Sequence, residues 1–289
     1  MQAFVKLTAA AVLAFAGTAA HAQVLAEDSA DDAAYAFGWF EGTNGGTGFG
    51  PWTFASSASS GGFAGTFLAT EPNDGLSNIG SGASGSAWAL FANSGPGLEQ
   101  SVAFRAISSP IASGNVSLTL GYEHGFIATG GAIGFALRNG NANTSSADFA
   151  VGSRFQLFFQ GGEGNYTVVD GDGVLDTGIP FGLDGLNATI TFTSADTYTL
   201  RIARFLSETG AFQTVSYPER SLAGTGSIDS VAIFNDDGGD ADPGLNNDAY
   251  FNRLSIVTGG GLDLDVDNSG TLDFFDIIAF LAQFDAVAP

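Results

Sequence analysis

Cysteine is absent from the chain. That excludes disulfide staples, thiol nucleophiles and cysteine-ligated zinc. Positive charge is nearly as scarce: 8 Lys and Arg stand against 30 Asp and Glu, a formal net charge of −22, and Lys6 is the lone lysine. A chain so acidic repels nucleic acid and anionic membranes and favours divalent cations, so no nucleic-acid partner is expected. Histidine is limited to His21 and His124. With no histidine pair and no Gly-x-Ser-x-Gly elbow, zinc hydrolysis and a serine-type triad both lack their parts. Glu41, Glu71, Glu99, Glu123, Glu163 and Glu208 are scattered, so no closely spaced pair marks a catalytic strand, although separated carboxylates can still converge in space. Catalytic residues are therefore assigned to none. Disorder is excluded by an ordinary hydrophobic content and 26 Phe.

Long apolar runs are also missing, save one at the start. Lys6 precedes an apolar stretch from Leu7 to Ala19, and Ala20-His21-Ala22 has the small-x-small form of a cleavage site. Residues 1–22 therefore read as a secretion signal, with an extracellular or cell-surface mature chain and no membrane span in it. An uncleaved anchor is the other reading.

From residue 23 to 257 the pattern is β. Period-two runs such as Ser101–Ile107, Val116–Leu120, Ile133–Leu137, Arg154–Phe159 and Tyr166–Val169 alternate with Gly, Asn, Asp and Ser clusters. Ala188–Thr193 and Thr197–Phe205 are joined by Ser194-Ala195-Asp196, and Asp170-Gly171-Asp172-Gly173 reads as a hairpin turn. Short strands without helical periods between them predict a mainly β chain, an antiparallel β-sandwich of the jelly-roll or lectin-like kind. A parallel β-helix is the alternative, although no fixed short repeat is visible. The stretches Ala64–Thr70, Asp176–Phe181 and Asp248–Asn252 resemble a lectin-like secreted domain found ahead of sorting tags in environmental bacteria.

Residues 258–262 form a Gly-rich linker. Beyond it, residues 263–289 carry the most specific motif of the chain. In Asp265-Val266-Asp267-Asn268-Ser269-Gly270-Thr271-Leu272-Asp273-Phe274-Phe275-Asp276, oxygen-bearing residues fall at loop positions 1, 3, 5, 7, 9 and 12, with Gly at position 6. Ca²⁺ takes six to eight oxygens, and the glycine permits the turn that wraps them around one point. Asp265, Asp267, Ser269, Thr271, Asp273 and Asp276 are the expected ligands, Thr271 through its carbonyl; an acidic turn before a helix is the plainer reading. Phe274, Ile277, Ile278 and Leu281 then share one helical face. This loop and helix resemble a dockerin-type, EF-hand-like calcium repeat of secreted bacterial proteins, especially anchored proteins of planctomycete-like bacteria. The resemblance implies an attachment module with a cohesin-like or cell-surface partner. Dockerins carry two such repeats, whereas this chain holds one complete copy.

Two further sites come from composition. Asp236, Asp237, Asp240, Asp242 and Asp248 crowd one loop and form a second, weaker candidate for a metal; a solvated loop is the alternative. Trp39 and Trp52 flank a Gly-rich segment from Gly42 to Gly50, where an exposed indole could stack on a sugar ring with Asn44 and Glu41 binding hydroxyls. Core burial is the competing role for each tryptophan. The expectation is a secreted, non-catalytic, calcium-binding protein that binds polysaccharide or attaches to the cell surface or an extracellular complex. A polysaccharide-degrading glycoside hydrolase and a structural matrix component are the alternatives.

Overall fold

Alternation of inward and outward side chains carries the architecture. Strand Asn165–Asp170, for example, buries Tyr166, Val168 and Asp170 and leaves the intervening residues half-buried. The computed structural model describes residues 23–70, 85–93, 97–140, 149–206, 209, 211–239 and 247–259. Its strands are β1 (Gln23–Asp28), β2 (Phe49–Ser57), β3 (Phe63–Thr70), β4 (Ser86–Asn93), β5 (Gln100–Ile111), β6 (Val116–His124), β7 (Ala132–Arg138) and β8 (Ser153–Gln160). They continue as β9 (Asn165–Asp170), β10 (Gly173–Pro180), β11 (Leu186–Phe192), β12 (Thr197–Leu206), β13 (Ala211–Ser221), β14 (Ile228–Asp236) and β15 (Ala249–Thr258). One 3-10 turn, Ala33–Tyr35, follows β1. Among the described residues no helix is long and apolar enough to cross a membrane.

The strands form two antiparallel sheets packed face to face. One has the order β13-β12-β11-β6-β15-β4-β3, with β1 also paired to β15; the other has the order β10-β9-β8-β7-β14-β5-β2. Every strand pair among the described residues is antiparallel, which rules out the β-helix and makes this chain an antiparallel β-sandwich. The expected turns are in place. Asp170 pairs with Gly173 across a two-residue hairpin in which Gly173 takes a positive φ of 96°. Ser194 Oγ accepts hydrogen bonds from the N–H groups of Asp196 and Thr197, closing the turn from β11 to β12.

Strand β15 organises its sheet. On one side it pairs with β6; its other side is shared, with β4 along residues 249–251 and β1 along residues 254–258. Asn252 stands at the junction. Its Oδ1 accepts from Ala30 N–H (2.7 Å) and Arg253 N–H (2.8 Å), and its Nδ2 donates to Ser86 O (2.7 Å). The adjacent Arg253 sits at φ 57°, inside a register shift against β6.

Buried polar groups tie the two layers together. Arg105 on β5 pairs with Asp28 at the end of β1, so the contact crosses from one sheet to the other. The guanidinium also donates to Gly50 O (3.0 Å), Gly45 O (2.8 Å) and Asn44 Oδ1 (2.7 Å), and lies over the rings of Phe49 and Trp52. Burial draws its pKa down to about 9, and the Asp28 carboxylate against it favours the charged form, so it is a cation at neutral pH. At the other edge Arg220 of β13 donates two hydrogen bonds to Asp170 of β9, at 2.6 and 2.8 Å, and Tyr198 of β12 donates a third. That arrangement consumes Asp170, so its hairpin is an ion-paired corner.

Candidate functional site

The edge strands β2 and β3 follow one another in sequence but belong to different sheets. Between them, an open cleft of about 390 Å³ is lined by Gly38, Trp39, Phe40, Glu41, Phe54, Thr66, Phe67 and Leu68. Phe54 comes from β2 and Thr66, Phe67 and Leu68 from β3, while residues 38–41 belong to the segment leading into β2.

That leading segment is held by short-range hydrogen bonds. Thr43 N–H donates to Phe40 O (3.0 Å), and Phe40 N–H donates to Thr43 Oγ1 (2.8 Å). Gly42 N–H reaches Trp52 O (2.9 Å), and Trp52 N–H reaches Thr43 O (3.0 Å), fixing the turn to β2. Gly38 takes a φ of 118°, and the Phe40 ring folds over it in space a Cβ would occupy. Phe40 is thereby presented to solvent, 60% exposed, next to Phe37 at 94%. Glu41 turns back along β2 and accepts the Phe54 N–H on Oε2.

Trp39 forms the inner wall. Its ring stands edge-on to Trp52 (5.2 Å between centroids) and Phe54 (4.6 Å) and lies 6.5 Å from Trp88. It is only 2% exposed, and its indole N–H has no hydrogen-bond partner. The same holds for the indole N–H of Trp88 in the core, so Trp39 serves the cleft as a packed aromatic wall. The arrangement offers aromatic faces for the C–H side of a flat ring and one carboxylate acceptor.

Of the four residues expected to contact sugar, Trp39 and Glu41 line this cleft. Trp52 is corrected to a structural role, and Asn44 is exposed but lies outside this cleft. Trp52 is 1% exposed, donates its indole N–H to Tyr35 Oη (3.0 Å) and supports Arg105. Asn44 accepts from Arg105. The reason is that the Gly-rich segment is a packed strap. Thr47 pairs with Glu27 in both directions, at 3.0 and 2.8 Å, and at Gly46 and Gly48 any Cβ would collide with the β1 backbone. Phe40, Phe54, Phe67 and Leu68 went unnoticed in the sequence. The signal for Phe40 was its place beside Trp39 and Glu41 between two glycines; the other three lie in ordinary strand patterns.

The acidic loop divides. Asp240 and Asp242 lie outside the described residues, as does the whole loop Asp265–Asp276 with Ser269, Thr271 and Asp273. Among the described residues no group of three or more His, Cys, Asp or Glu is placed to hold a metal. Asp236 accepts from Gln100 Nε2 (2.9 Å), Asp237 donates its backbone N–H to Glu99 O (2.7 Å), and Asp248 O accepts from Gly125 N–H (3.2 Å). Burial raises the pKa of both Asp236 and Asp237 above the usual carboxylate value. These three described members of the cluster thus brace the end of β14 and the start of β15.

His124 is buried in an aromatic cluster. Its Nδ1 hydrogen bonds with Gly125 O (2.7 Å) and its Nε2 with Tyr166 Oη (2.8 Å); the ring stacks on Phe159 at 5.2 Å. The carbonyl can only accept, so the proton resides on Nδ1 and the tyrosine donates to Nε2. Burial pushes the imidazole pKa down to about 4, leaving it neutral at physiological pH.

No protein-family model matches the sequence, and no curated protein does. Solved structures of similar arrangement include the globular domain of T. cruzi calreticulin, 12% identical over 81% of this chain and 95% of that one, with a TM-score of 0.45. The lectin UEA-II in complex with galactose is 12% identical over 77% of this chain and 97% of its own, TM-score 0.35. An endo-β-1,3-glucanase from Pyrococcus furiosus is 12% identical over 82% and 95%, TM-score 0.38. Likenesses this distant say nothing about a ligand.

Proposed function

We propose that this is a secreted, non-catalytic carbohydrate-binding protein whose sugar ligand stacks in the cleft between β2 and β3. The observation that carries the reading is the exposed Phe40 ring beside Glu41 in an open cleft walled by Trp39, Phe54 and Phe67. Phe40 supplies an exposed apolar face and Glu41 an acceptor, a combination that fits a pyranose ring. The C-terminal loop Asp265–Asp276 is proposed to bind Ca²⁺ and, with the helix that follows, to attach the sandwich to a cohesin-like or cell-surface partner. A glycoside hydrolase is the second reading, because Glu41 supplies one of the two carboxylates that such chemistry uses.

The test is retention of the mature protein on insoluble polysaccharides, with calcium and then with chelator, and with released sugar assayed in the same tubes. Phe40→Ala is expected to weaken retention about ten-fold, the loss of one stacking face. Asp265→Ala is expected to lose calcium binding and surface attachment while leaving polysaccharide retention intact. Equal retention of Phe40→Ala and the parent would remove the cleft from the reading, and released sugar would replace binding with hydrolysis.

A further inference from the structure

Strands β2, β3 and β4 hold no charged residue, in a chain with 30 Asp and Glu. β3 is an edge strand with neither a charge nor a proline, two devices that ordinarily guard such an edge. Its outer face, turned away from the core between the sheets, is aromatic. Phe67 points there: its ring meets Tyr250 edge-on, at 6.4 Å between centroids, and packs with Ala69, Ala87 and Ala89. Phe63 shares that face by alternation and is 65% exposed. Gly65 stands between the two, opposite Phe91 of β4. Having no side chain, Gly65 accommodates the Phe91 ring, whose Cζ would lie 2.8 Å from a Cβ at that position. Phe91 and Phe67 are both half-buried, with ring centroids 6.2 Å apart. Phe63, Phe91 and Phe67 therefore form one stripe along β3, about 14 Å long from the rise of the strand. Phe67, at one end of it, also lines the cleft.

We propose that this stripe extends the sugar site, so that the protein takes a run of several neutral sugars in a polysaccharide chain and not a single sugar. The inference rests on the function proposed above and adds to it the length and charge of the ligand. Rings in a row offer successive stacking faces to the C–H sides of successive sugars, and a stripe of this length outruns one pyranose. Three strands without a charge leave no cation to pair with a sulfate or a uronate, and the net charge of −22 repels both, so the sugars are neutral. The same charge sets copies of the chain against one another, which favours a glycan over a second copy as the occupant. Phe67 joins the two parts. A glycan seated against Phe40 leaves the cleft past Phe67, where the stripe begins.

The experiment compares ligand lengths by isothermal titration calorimetry of the mature protein. The probes are the disaccharide and the hexasaccharide of the cello-, laminari-, xylo- and β-galacto-series. In at least one series the hexasaccharide is expected to bind on the order of ten-fold more tightly than the disaccharide, through the added stacking faces. Phe63→Ala removes an exposed ring and should keep the fold. It should lower hexasaccharide affinity about three-fold and leave the disaccharide value unchanged. Adding Phe91→Ala should abolish the advantage of length, whereas Phe40→Ala should weaken both lengths. Equal affinity for the two lengths, or a length advantage untouched by Phe63→Ala, would overturn the stripe and leave the cleft in place. Sedimentation of the unliganded protein supplies the other arm: self-association lost in Phe63→Ala would assign the stripe to a second copy and overturn the proposal. Binding of no oligosaccharide, with no retention on any polymer, would remove the proposed function itself and the stripe with it.

Discussion

His124 illustrates how one residue can be described chemically once its surroundings are known. In the sequence it was a lone histidine at a strand end, read as an ordinary surface or packed residue with no catalytic partners. In the fold it is neutral and enclosed, with its two nitrogens already committed to Gly125 and Tyr166. Because its folded pKa, about 4, lies below the unfolded value of about 6.5, the unfolded chain binds more protons between those values. Stability from this group is therefore complete above pH 6.5 and falls as the pH drops toward 4, by about 3 kcal/mol in total. Urea denaturation at stepped pH should show that loss in the parent. The His124→Gln variant should be less stable at neutral pH but lose less over the same window. Parallel curves for the two proteins would contradict the buried, neutral assignment.

At the scale of elements, legibility followed burial. Strands with one covered face, such as β9 and β11, announced themselves by alternation, and their turns by Asp-Gly and Ser-Ala-Asp. β4 did not, because it is covered on both faces: Trp88 and Leu90 join the core between the sheets, while Ala87 and Ala89 pack with Tyr250 on the far side. The cleft was equally hidden. Its walls come from two edge strands and a turn that meet only after the sheets pack, and Phe54 and Phe67 look in sequence like any other strand phenylalanine. The Gly-rich strap misled for the opposite reason, since glycine that permits close approach reads the same as glycine that permits motion. The tie between β1 and β5 gives a direct test. Asp28→Ala would leave Arg105 as a buried unpaired cation and should cost about 3–5 kcal/mol, whereas Tyr35→Phe, which removes a neutral donor to the same carboxylate and leaves the Trp52 N–H unpaired, should cost about 1–3 kcal/mol. Chemical denaturation of both variants measures the difference, and equal losses would show that the tie between the sheets is not ionic.

For the whole molecule, the pairing that closes one sheet joins the beginning of the sandwich to its end: Gln23 stands opposite Thr258, and Val24 opposite Val257. The order in which the ribosome makes the strands is then only one of several that satisfy the same contacts. A circular permutant, joined by a short Gly-Ser bridge from Gly259 to Gln23 and reopened in the hairpin between Asp170 and Gly173, keeps every strand pair except the covalent link of β9 to β10. Such a chain should fold to the same sandwich and keep its cleft. Its sequence would start and stop beside Arg220, on the far side of the sheets from Phe40, so a fusion partner or a surface tether could be attached there without crowding the cleft.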